Sequence, residues 1–197
     1  EKLGDQWGLG QSYQWLGYCN SWMGRYSRSN EMFIKSLDIF KGIGDIWETG
    51  MSLGGLAFNC YYLSNYEKAI DYSREYRIIS TKLSDYYGLS RSYQYSALCM
   101  IEKGDYEGAE DYLKESMDIC IDKKIYFNLC VNHIHMGLLF IEMNDYDSAL
   151  EYFTRAEKID RENHFIKEFT SILYAGLAEC ILKIIVRRKS YDFTVSR

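Results

Sequence analysis

Apolar residues recur along this chain at three- and four-residue steps, the spacing of one buried helix face. Short polar turns break the pattern at regular intervals, and the segments around them repeat. LSNYEKAIDYS begins at Leu63, KGDYEGAEDYL at Lys103 and MNDYDSALEYF at Met143, with Tyr66, Tyr106 and Tyr146 placed 40 residues apart. A fainter copy, MGRYSRSNEMF, puts Tyr26 another 40 residues earlier. Self-similarity at a fixed period of this size marks a stack of equal helical units.

Other columns share the step. Asp5, Asp45 and Asp85 stand where a helix N-cap is needed, and Ile125 breaks the series. Gly24, Ser64, Gly104 and Asn144 stand where a left-handed residue would end that helix, with serine the weak member. Gly17, Ala57, Ala97 and Gly137 are small enough for a second helix to approach, and Ser29, Ala69, Ala109 and Ala149 supply the matching flat spot on that helix. Ile39, Ile79, Ile119 and Ile159 anchor its far end. The pattern predicts A helices near 6–23, 46–63, 86–103 and 126–143. It predicts B helices near 27–41, 67–81, 107–122 and 147–161, and a last helix over about 165–186.

A small residue, then Gly/Asn-Asp/Asn-Tyr at the inter-helix turn, then alanine three residues after the tyrosine: this resembles the tetratricopeptide repeat over residues 5–185. The step is 40 residues rather than the usual 34, and the proline that often follows helix B in that family does not occur. The resemblance implies an all-α fold, a right-handed α-α superhelix (solenoid) of about four and a half helix-turn-helix repeats. The single array would span 1–185, with repeats over 5–44, 45–84, 85–124 and 125–163, a terminal helix over 165–186 and a tail over 187–197. It also implies a concave groove lined by the A helices. The positions are Gln14, Tyr18, Ser21 and Trp22, then Phe58, Tyr61 and Tyr62, then Gln94, Leu98, Ile101 and Glu102, then Ile134, His135, Leu138, Ile141 and Glu142. Chaperone adaptors of the family clamp a C-terminal carboxylate with lysine and asparagine. The asparagine column here reads Tyr18, Phe58, Leu98, Leu138, so that clamp is missing and a chaperone tail is not the expected ligand.

Composition changes this picture little. The 197 residues contain no proline and 19 tyrosines, which suits long helices with tight turns. A net charge of -5 gives no support to nucleic-acid binding, and the basic run Val186 to Lys189 reads as a cationic helix C-terminus. The six cysteines form no CxxC pair and fit free thiols in a reducing, cytoplasmic setting. The chain opens on Glu1 in mid-pattern, which reads as a piece of a longer protein. No apolar run is long enough for a membrane span. No phosphate-binding loop is present, and His133 and His135 point to different faces of one helix, so they do not share a metal. No cofactor is expected, and no enzyme activity.

The expected function is therefore a non-catalytic interaction scaffold. GDQWG at Gly4 and GDIWETG at Gly44 resemble repeats attached to signalling domains, which implies a regulatory or sensor module binding a helix or apolar peptide. The alternative is a receptor for peptide pheromones, with Gln14, Gln94, Asn59 and Asn132 as anchors for the peptide backbone. A homodimer through exposed end helices is a further expectation, because solenoid ends need polar caps.

Overall fold

The computed structural model describes residues 4–163, 165 and 170–195, with side chains in the last helix for 173–186. Every element among them is an α-helix. The A helices are α1 (Gln6–Trp22), α3 (Ile46–Tyr62), α5 (Tyr86–Glu102) and α7 (Tyr126–Glu142). The B helices are α2 (Tyr26–Ile43), α4 (Tyr66–Leu83), α6 (Tyr106–Lys123) and α8 (Tyr146–Asn163), followed by α9 (Thr170–Val195). The A helices end one residue before the predicted positions. The B helices begin on the repeating tyrosine itself and run further than predicted, by one residue in α6 and by two in the others. The expected start of the last helix falls partly on residues outside those described, and its backbone stays helical to Val195 rather than ending near 186.

Capping follows the aspartate column. The carboxylates of Asp5, Asp45 and Asp85 accept from the backbone N–H of Gly8, Glu48 and Gly88 at 2.8, 3.0 and 3.0 Å. Ile125 leaves α7 without a side-chain cap. Asp105 and Asp145 cap the third and fourth B helices by the same bond.

The contacts form two compact units, 1–103 and 104–197. In the first, α1 to α5 pack each on the next, and the A helices also touch, α1 on α3 and α3 on α5. Its core is Phe33, Leu37, Leu53, Leu56 and Tyr76, with a second cluster of Cys60, Ala69 and Cys99. In the second, α6 to α9 pack in succession and α7 touches α9. Its core is Cys130, Ile134, Ala149, Phe153, Ala156, Leu173 and Cys180. Five of the six cysteines are buried free thiols, while Cys19 is exposed.

Candidate functional site

Residues that share a column lie at the same height on successive A helices, so the groove positions can be followed unit by unit. In the first unit they form a connected aromatic surface. Tyr18 lies 5.9 Å from Trp15 and 6.3 Å from Trp22, and packs edge-on against Phe33 at 5.0 Å. Tyr62 stacks on Tyr26 at 4.8 Å and lies 4.7 Å from Phe58, whose ring also meets Tyr95 at 6.0 Å. Trp22 is 71% exposed, Trp15 58% and Tyr62 48%. Tyr18, Phe58, Tyr61, Leu98 and Ile101 are half-buried.

Other expected groove residues face inward. Gln14 is buried and donates to the Glu48 carbonyl and to Ser52 Oγ, 3.3 and 3.2 Å. Gln94 is buried as well. Ser21 donates to Asn59 Oδ1 at 2.6 Å, and Asn59 donates to Ser29 Oγ and Asn30 Oδ1 at 2.7 and 3.0 Å. In the second unit Ile134 belongs to the core, with Leu138 and Ile141 packed against it. Asn132 is buried and donates to Ser116 Oγ at 2.8 Å. The four amides that would anchor a peptide backbone, Gln14, Gln94, Asn59 and Asn132, are thus interior residues. His133 packs on Tyr152 at 5.8 Å, and burial lowers both His133 and His135 to about 4, with Arg155 adding to the effect at His133.

One group lies outside the columns expected to line the groove. Arg91, on α5, is half-buried; its guanidinium donates to the Tyr95 hydroxyl and lies 5.3 and 5.8 Å from the ring centres of Tyr95 and Tyr87. Burial pushes Tyr18 up to about 12 and raises Tyr95 and Tyr76, while the positive charge of Arg91 acts on all three in the opposite direction. The signal was present: the column Gln11, Met51, Arg91, Val131 carries a single charge, one turn below the columns taken for the groove. At the other end of α5, Tyr61 and Tyr66 donate to Glu102 Oε1 and Oε2 at 3.3 and 3.4 Å. Burial first, and then Glu102, raises the Tyr61 phenol.

Among the described residues no group of histidine, cysteine and carboxylate side chains could hold a metal ion, and no helix is long and apolar enough to cross a membrane. No curated protein matches the chain. Solved structures share the fold at low identity. A Rap protein complexed with competence and sporulation factor has a TM-score of 0.79 at 16% identity, over 93% of this chain and 50% of that one. Aspartyl phosphate phosphatase F from Bacillus subtilis gives 0.76 at 16%, over 98% and 53%. A signal transduction ATPase with a tetratricopeptide repeat sensor from Pyrococcus horikoshii gives 0.70 at 17%, over 93% and 27%. The chain therefore spans about half the length of the first of these or less of the last. Two models described as tetratricopeptide repeat match residues 48–122 and 132–163, more than half of the sequence between them. The chain belongs to the tetratricopeptide repeat family.

Proposed function

We propose that the chain is a non-catalytic protein-interaction module whose groove takes a helix or an apolar peptide, as a regulatory or sensor part of a signalling protein. The observation that carries this is the aromatic surface of α1 and α3. Trp15, Trp22 and Tyr62 are large, rigid and solvent-facing, the residue types that dominate binding energy at interfaces. The net charge of -5 favours a protein or peptide partner over nucleic acid. The Rap protein solved in complex with competence and sporulation factor shares the fold, which supports a binding role for it here. The burial of Gln14, Gln94, Asn59 and Asn132 gives the pheromone-receptor alternative no extra support.

Selection of a displayed random peptide library on the purified chain tests the reading. Selected peptides are expected to lose about 30-fold in affinity, ~2 kcal/mol, on Trp22→Ala or Tyr62→Ala. Peptides that bind both variants as well as the parent would place the site elsewhere.

We also propose that the chain self-associates through α1. Leu9 and Leu16 are 44% and 50% exposed, whereas Leu56, Leu129 and Met136, 40 or 120 residues along the same columns, are buried. Sedimentation velocity is expected to show a concentration-dependent dimer that Leu16→Lys removes. A monomer at all concentrations would reject this.

A further inference from the structure

Arg91 and Glu102 are eleven residues apart on α5, close to three full turns, so both side chains leave the same face of the helix. Among the described residues neither forms an ion pair. No carboxylate among the described residues forms an ion pair with Arg91, whose only hydrogen-bond acceptor there is Tyr95. A guanidinium carries five N–H donors, so most of its capacity is unused. Withdrawing such a cation from water is costly, and the rings of Tyr87 and Tyr95 offset only part of that cost. Two acids act on the phenols of the cluster, Glu48 on Tyr18 and Asp85 on Tyr76, and both accept elsewhere: the Glu48 carboxylate from the Gln11 amide and Asp85 Oδ1 from the Gly88 N–H.

Glu102 is the mirror case. It is exposed, two tyrosine hydroxyls hold one carboxylate oxygen each, and among the described residues no cation forms an ion pair with it. The adjacent Lys103 pairs with Glu67 instead. The Tyr61 ring, 5.2 Å from Tyr62 and 6.1 Å from Tyr66, lies beside that carboxylate, which suits a cation that touches both an aromatic ring and a carboxylate.

Tyr76 of α4 packs close to α3 and α5 because both have glycine along its path, which brings its phenol within the influence of the Arg91 charge. A Cβ on Gly54 would lie 2.9 Å from the Tyr76 ring, and one on Gly88 2.6 Å from its hydroxyl.

We propose that the groove of the first unit recognises a bipolar ligand: a peptide whose carboxylate seats on Arg91 and whose ammonium or guanidinium group seats against Glu102, about 16 Å away along α5. A carboxylate would take two of the unused guanidinium donors in a bidentate pair. The apolar stretch between the charges would lie on Phe58 and Leu98. This differs from the chaperone-tail clamp, whose asparagine column is apolar here. It deepens the groove reading and rests on it.

The test uses the same displayed library on the full chain, with fluorescence anisotropy of the selected peptides against Arg91→Gln and Glu102→Gln. Selected peptides are expected to carry one acidic and one basic group. Each variant should weaken them at least tenfold. Peptides with the matching charge neutralised (Asp to Asn, Lys to norleucine) should be weak on the parent and indifferent to the variant. Free-acid and amidated C-termini tell a terminal carboxylate from a side-chain one, and either source satisfies the proposal. If Arg91→Gln does not fold, Arg91→Lys and the exposed Glu102→Gln carry the same comparison. Peptides that depend on Trp22 and Tyr62 but not on Arg91 or Glu102 would overturn the bipolar proposal and leave the groove reading standing. A library that yields no binder would overturn the groove reading, and this proposal with it.

Discussion

At the scale of single residues, backbone strain is concentrated in the turns. Among the described residues seven have φ between 54 and 78°: Gly24, Ser64, Gly104 and Asn144 after A helices, and Gly44, Ser84 and Lys124 after B helices. Only glycine takes this conformation without its Cβ crowding the carbonyl. Ser64→Gly, Ser84→Gly and Lys124→Gly are each expected to raise stability by roughly 0.5–1 kcal/mol, read as a shift of the urea midpoint at unchanged slope. No gain at any of the three would mean that local bonds of the turn outweigh the strain. The column after the A helices was legible in the sequence because glycine and asparagine mark it. The column after the B helices was not, because Ser84 and Lys124 do not announce a left-handed residue. Asp85→Ala is expected to cost about 1 kcal/mol through the lost cap.

At the scale of helices, one device closes both units. A phenylalanine of a B helix inserts between a glycine of its own A helix and a glycine of the next. Phe33 lies where a Cβ on Gly17 or Gly55 would sit 2.9 or 2.4 Å away, and Phe153 does the same at Gly137 and Gly176, at 2.7 and 2.4 Å. The second repeat moves the bulk by one turn, with Ser73 in the phenylalanine column and Tyr76 in the column of Ser36. Gly55→Ala is therefore expected to cost about 1–3 kcal/mol, and Phe33→Leu in the same chain to recover part of it. A purely additive double variant would show that the ring moves aside freely. The small-residue columns were readable as close approach, but the shift from Ser73 to Tyr76 was not. It breaks the period by three residues, and its effect, a phenol carried toward Arg91, depends on contacts between helices. The same limit applied to the groove. The column positions located Trp22 and Tyr62 on the surface, whereas the inward rotation of Gln14, Gln94 and Ile134 is set by packing.

At the scale of the whole molecule, the two units carry different titratable chemistry. All three histidines lie after residue 104; His133 and His135 are on α7, and His164 falls outside the described residues. Burial holds His133 and His135 near 4, against about 6.5 in an unfolded chain. Between those values the unfolded state binds more protons than the folded one. Stability present above about pH 6.5 is therefore lost as the pH falls toward 4, with a slope of up to about 2.7 kcal/mol per pH unit where both imidazoles contribute fully. Below 4 both states are protonated and the loss stops growing. The first unit has no histidine, so the loss belongs to the second. Hydrogen exchange corrected for intrinsic rates is expected to show protection of residues 126–163 falling from pH 7 to pH 5 while that of residues 6–102 holds. His133→Gln with His135→Gln should remove the difference. Equal loss in both units, or a loss unchanged in the double variant, would assign the acid sensitivity to carboxylates instead and leave the two buried imidazoles without a role in it.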